Sequence, residues 1–282
     1  MKYQGQIVDH RYGKAGVRLL RLDRSAATHR LFEATVQISL EGPFSEAYSA
    51  GDNRRVLPTD TMKNTVYALA RRHEFDTPES LARLLARHFV GTQEQVEKAS
   101  VDVAEKPWLR HADRSAAFIA GGEERFTTTV VASAEGESVS SGIDGLVILK
   151  SSRSGFEGFP RDEFTLLKET DDRILATRLE ARWDYADAAN VDFAAARGRI
   201  QTAMLDAFAD HDSRSVQHTL YEMAEAALAA ASEIERIFLR MPNKHYLLAR
   251  LEPLGLDNPN CIFVPTDEPA GMIEGTVERV SA

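Results

Sequence analysis

The stretch Leu57–Thr65, LPTDTMKNT, sets a hydroxyl (Thr59) and a carboxylate (Asp60) between an apolar run and an amphipathic helix. Short polar side chains at such a junction accept hydrogen bonds from the first free N–H groups of a helix, and capping alone accounts for them. Four other segments also place polar residues at element boundaries. RYGK (Arg11–Lys14) puts a lysine ahead of the first strand, where a surface lysine is the plain reading. GFEGFPRDEFTLLKETDDR (Gly155–Arg173) is a long loop holding Phe156, Phe159 and Arg173; a small apolar cluster under a loop explains it equally well. SVQ (Ser215–Gln217) opens a helix, whose first N–H groups have no intrahelical partner. PNKHY (Pro242–Tyr246) offers Asn243, Lys244 and His245 where a hairpin turn would join two strands.

Other chemistries have no motif to carry them. The eight histidines, at 10, 29, 73, 88, 111, 211, 218 and 245, form neither HExxH nor a His/Cys pair at zinc spacing. Asp210-His211-Asp212 is ligand-like in composition, but neighbouring residues at a helix end point apart, so it reads as a helix terminus with its loop. There is no GxGxxG and no GxxxxGK[ST], which argues against nucleotide cofactors. No GxSxG occurs, and Cys261 sits in an apolar run read as a strand, an inert core thiol. What remains is the set of isolated polar residues at element boundaries.

The chain has 282 residues, long enough for one large domain or two ordinary ones, and is 43% hydrophobic. Its 34 basic and 43 acidic residues give a net charge of −9, which disfavours nucleic acid and anionic membranes as partners. A small anionic substrate would need a locally placed arginine. No apolar run approaches the ~20 residues that cross a bilayer. The N-terminal segment lacks the apolar core of a signal peptide, and VERVSA is not a peroxisomal address. With one cysteine, these features lead us to expect a cytoplasmic protein.

Periodicity supplies the elements that must position these residues. Residues 33–40 alternate, with Ala34, Val36, Ile38 and Leu40 on one face, as a half-buried strand does. Residues 17–22 form its hairpin partner. Two helices follow, one with Met62, Val66, Leu69 and Ala70 at helical spacing. The other is capped by Thr77, opens with Pro78, carries Leu81, Leu84, Leu85 and Phe89, and closes near Gly91. Strand signals return at 95–103 and within 115–132. The polar, glycine-rich 135–145 reads as a linker. Beyond it the order recurs: strands at 146–150 and 174–185, helices at 192–209 and 215–231, strands at 234–240, 245–251 and 261–264. Hairpins with helices gathered on one face predict an α+β fold with antiparallel sheets rather than parallel α/β. The expected units are 1–137 and 138–282. Their open sheet edges predict assembly into an oligomer.

Taken in order, RYGK, TDxxKNT, the GF-x-GF-x-RDE-x-T-x-LKET-x-DR loop, SVQ, PNKHY and the C-terminal DEPAGMIEGTVER resemble the urate oxidase (uricase) family nearly end to end. The resemblance implies tandem tunnelling-fold (T-fold) units that assemble around a hollow barrel in a homotetramer. It implies oxidation of urate by molecular oxygen to 5-hydroxyisourate and hydrogen peroxide, in purine catabolism, with neither metal nor organic cofactor. Carried over position by position, Arg173 and Gln217 grip opposite edges of the purine, Phe156 stacks on its face, and Leu167 and Val216 line the pocket. Asp60 binds urate through its backbone N–H. Lys14 and Thr59 remove a proton, His245 completes the relay, and Asn243 holds oxygen or water above the ring.

These roles are chemically reasonable. A guanidinium fork matches a carbonyl and ring nitrogen of an anion, and an amide offers both donor and acceptor to a lactam edge. A lysine, ordinarily near ~10.4, is a poor base at neutral pH, so burial at an interface is expected to leave Lys14 partly neutral. The resemblance also implies that Lys14 and Thr59-Asp60 come from one subunit while Phe156, Arg173, Gln217 and Asn243 come from its neighbour. One departure is Pro160, where a bulkier apolar residue is usual. A pterin enzyme of the same fold would need a metal or a glutamate anchor, and a non-catalytic purine binder would need no proton relay.

Overall fold

The computed structural model describes residues 5–280. It divides into two compact units, one running to Gly142 and including Asp187–Phe193, the other comprising Ile143–Ala186 and the chain from Ala194 onward.

The first unit opens with β1 (Tyr12–Asp23) and β2 (Arg30–Glu41), a short helix α1 (Ser45–Ser49), then α2 (Thr59–Arg72) and α3 (Pro78–Thr92). It continues with β3 (Lys98–Lys106), a small hairpin of β4 (Trp108–Arg110) and β5 (Phe118–Ala120), β6 (Arg125–Ser133) and the start of β7 (Gly136–Lys150). Its strand order is β1-β2-β3-β6-β7. In β2 the expected alternation holds: Ala34, Val36, Ile38 and Leu40 are buried, while Thr35 and Gln37 face solvent. Helix α2 packs on β1, and α3 on β3 and β6. The two helices bury Met62, Val66, Leu69, Leu81, Leu85 and Phe89 on that face. Each such side chain contributes roughly 1.5–3 kcal/mol. Thr77 caps α3 as expected, in a reciprocal box with Ser80.

Three expectations need correction in this unit. RYGK does not precede the first strand, since Tyr12–Lys14 already belong to β1. A one-residue bulge follows: Lys14 faces Ile38 but Val17 faces Val36, and Gly16 takes the positive φ of 68° that the bulge requires. The segment 135–145 is not a linker, because β7 runs through it. Its serines conceal a core strand: Val139 and Ile143 are buried, and the buried Ser141 hydroxyl donates to Glu79 at 2.6 Å. The strand expected at 95–103 begins at Lys98 instead.

The second unit holds β8 (Leu175–Tyr185), α4 (Phe193–Asp210), α5 (Val216–Ala230), β9 (Ile234–Arg240), β10 (Asn243–Leu248), a 3-10 turn (Glu252–Leu254), β11 (Phe263–Gly271) and β12 (Glu274–Glu278). Alternate residues of β8 are buried, from Leu175 to Trp183, whose ring N–H donates to the Tyr185 hydroxyl at 3.1 Å. Helix α5 lies on β9 and β12 and buries Val216, Leu220, Met223, Ala224 and Leu228.

PNKHY is no hairpin turn. Strands β9 and β10 pair antiparallel with β8 in one continuous register, Arg240 opposite Glu180 and Asn243 opposite Thr177. Only Met241-Pro242 interrupts them, since proline has no N–H for the ladder. Cys261 is exposed and lies before β11, its N–H held by the Asn258 side chain. The apolar run there is a loop leading into an arm, β10 and β11, in which Leu247, Leu248 and Val264 are exposed. No helix among the described residues is long and apolar enough to cross a membrane.

Candidate active site

The expected site residues fall into two groups, one in each unit. In the first, the Leu57 N–H donates to the Tyr12 hydroxyl at 2.8 Å, fastening the approach to α2 onto β1. Lys14 is two residues along β1, on the same face as Tyr12, and half-buried. Thr59 and Asp60 are exposed and do not cap α2. Pro58 holds the N-cap position and no side chain accepts there. The Asp60 carboxylate instead accepts from Lys63 at 2.5 Å and Asn64 at 2.9 Å, one helical turn ahead. That bond from Lys63, with the charges of Lys63 and Lys14, holds the Asp60 carboxyl below the usual carboxylate range. Asp60 therefore organises KNT, and the Thr59 hydroxyl is free of capping duty.

In the second unit, Phe156 and Thr170 exchange two backbone hydrogen bonds, 2.7 and 3.2 Å, and close the neck of the long loop. Phe156 stacks on Phe159 with centroids 4.9 Å apart and planes 13° apart. The Arg173 guanidinium lies 5.2 Å from the Phe156 centroid. Its Nε is buried without a hydrogen-bond partner among the described residues, and burial lowers the group's pKa from the ordinary guanidinium value. Leu167 is 52% exposed, and its carbonyl accepts from Arg161.

The loop is tied to the start of α5. The Gly155 N–H donates to Ser213 O at 2.8 Å, and the Ser213 N–H to Arg153 O at 2.9 Å. Ser215 caps α5, accepting from the His218 N–H at 3.1 Å. Val216 and Gln217 are the first helical residues, the former buried and the latter exposed, and their N–H groups are beyond reach of any helical carbonyl. Asn243 is paired with Thr177 on β8, four residues past Arg173, and His245 follows it on β10; both are half-buried. Lys244 turns to Asp267 at 2.8 Å.

The backbone junction thus ties the loop bearing Phe156, with Arg173 over its ring, to the helix start bearing Val216 and Gln217, and Asn243 sits on the strand beside β8; Lys14, Thr59 and Asp60 lie in the other unit. An aromatic ring with a guanidinium over it suits a flat, anionic heterocycle. The sequence reading missed Ser213, the knot of the junction. Its signal was the run of hydroxyls at 213, 215 and 219 around SVQ. Asp210-His211-Asp212 has protein partners instead of a metal's: Asp212 takes the Arg153 guanidinium at 2.6 Å, and His211 faces Thr219.

A family model described as uricase matches residues 10–131 and 139–274. A uricase of Arthrobacter globiformis is 42% identical over 96% of this chain and 89% of its own length. One from Dictyostelium discoideum is 39% identical over 97% of both chains. The crystal structure of the Arthrobacter globiformis uricase superposes with a TM-score of 0.95 at 40% identity, covering 99% of this chain and 97% of that one. On the family match across both units and on relatives of this similarity over nearly the whole length, the chain belongs to the uricase (urate oxidase) family.

Proposed function

We propose that this chain oxidises urate with molecular oxygen and water to 5-hydroxyisourate and hydrogen peroxide, using no metal or organic cofactor. Urate supplies the electrons: two pass to oxygen, two protons complete the peroxide, and a water oxygen becomes the new hydroxyl at C5. The protein's tasks are to hold the purine, strip its proton and keep oxygen and water in place.

In this reading Phe156 carries the ring, and Arg173 and Gln217 take its opposite edges through fork and amide. Val216, with its free N–H, and Leu167 close the pocket. Asp60 contributes its backbone N–H. Lys14 accepts the proton by way of Thr59, with His245 continuing the relay, and Asn243 holds oxygen or water over the ring. Each unit is one tunnelling-fold half. The two residue groups meet at the interface between subunits of a homotetramer, so that one subunit supplies Lys14 and Thr59 and another the purine clamp. The enzyme is placed in the cytoplasm.

The observation that carries this reading is the Arg173 guanidinium held against Phe156 with a buried, unpartnered Nε. A buried donor left open costs stability, and an anion's acceptor beside it removes that cost. The test is Gln217→Ala and Arg173→Ala, assayed by the fall of urate's near-ultraviolet absorbance. Both should lose urate binding, and wild-type KM in both would overturn the reading.

A further inference from the structure

Behind the helix start that bears Gln217 runs a chain of polar side chains with no part in the reaction as described. His211 Nε2 stands 3.0 Å from the Thr219 hydroxyl, which donates to Ser213 Oγ at 2.7 Å, and Ser213 Oγ donates to Ser215 O at 3.0 Å. With Nε2–H as donor, the hydrogen bonds run one way, from imidazole through two hydroxyls to the carbonyl just before Val216. Such head-to-tail chains strengthen one another in a low-dielectric interior. Thr219 and Ser213 are buried, at 0% and 4% exposure.

The same Ser213 fixes the aromatic side of the site, since its backbone accepts from Gly155 and donates to Arg153. Lys150 closes the assembly from behind, donating to His211 O at 2.7 Å and Phe208 O at 3.2 Å. Burial first, then the charges of Lys150 and His218, lower the pKa of His211. The chain needs only the Nε2 proton, which both charge states of the ring can supply.

We propose that Thr219 is a positioning residue for urate oxidation, and that through Ser213, with His211 behind it, it sets the Gln217 amide against the Phe156 ring. This rests on the assignment of Phe156, Arg173 and Gln217 to urate. A clamp made of two segments is only as well placed as the joint between them, and displacement by a fraction of an ångström is costly in oriented binding. The residue touches no substrate; its hydroxyl reaches Gly155 through Ser213, and Ser215 both through Ser213 and by its own contact with the Ser215 carbonyl at 3.2 Å.

The test compares Thr219→Val, Thr219→Ser and His211→Gln, whose amide nitrogen stands in for Nε2, in the assembled enzyme. Urate kcat and KM are measured, with the Kd of 8-azaxanthine, a purine lacking the C8 carbon. Thr219→Val should raise KM and the 8-azaxanthine Kd together by ~10-fold while kcat changes less than about threefold. Thr219→Ser and His211→Gln, which keep the hydrogen bonds, should each stay within about threefold of the native KM and Kd. If Thr219→Val fails to fold, Ser213→Ala breaks the same link and carries the same expectation. Unchanged KM and Kd in the folded variant, or a loss in kcat alone, overturns the proposal. Gln217→Ala separates the two levels: if it also binds urate normally, the site assignment itself has failed, whereas a Gln217→Ala defect beside a normal Thr219→Val refutes only the positioning role.

Discussion

Arg173 lies 5.2 Å from the centroid of Phe156 and keeps a buried Nε that no acceptor among the described residues satisfies. A group that destabilises its own fold is worth keeping only for what it binds. Arg173→Met should therefore act in opposite directions on stability and function. The free protein should gain about 1 kcal/mol, the lower end of the cost of an unsatisfied buried donor. Urate kcat/KM should fall at least ~100-fold, since an anion loses its charge-assisted fork. Calorimetry and steady-state kinetics on the same preparation check both signs.

The division of site residues between two compact units gives a prediction about subunits. Thr59→Ala and Arg173→Ala should each be inactive alone. Co-expressed as mixed oligomers, they should recover about a quarter of wild-type activity, the fraction of shared sites receiving an intact residue from each side under random assembly. Hybrids without activity would refute the shared site.

Two histidines should contribute to the loss of stability in mild acid. Burial lowers the pKa of His88, and burial with the Lys150 and His218 charges lowers that of His211. For such groups the unfolded chain binds protons first, so stability is complete above the ordinary value of ~6.5 and declines as pH falls from there toward the folded pKa. Urea unfolding from pH 7.5 down to pH 5 should show this decline, and the His88→Gln, His211→Gln double variant should flatten it. An equally steep decline in the double variant would assign it to carboxylates.

Legibility followed the physics of each segment. The alternation of β2 was readable because one face meets the core and the other water. Strand β7 was not, because Ser141 earns its buried place from Glu79, a partner far away in sequence. Thr59-Asp60 carries the signature of a cap, but Pro58 occupies the capping position and leaves the carboxylate to Lys63 and Asn64. PNKHY has the composition of a turn, yet β8 supplies a ladder that carries it on in register. The site residues were named through family resemblance, one by one. Their division into two groups came with that resemblance, but the joint between the long loop and α5 was not legible, because Gly155 and Ser213 meet through backbone atoms.

The most direct measurement follows urate absorbance, oxygen uptake and peroxide together, on protein exhaustively treated with chelator. The account predicts full activity, with one oxygen consumed and one peroxide formed for each urate lost. Activity that disappears with the chelator and returns with a metal ion would contradict it, because the residues described here would then be holding a substrate for chemistry done by something else.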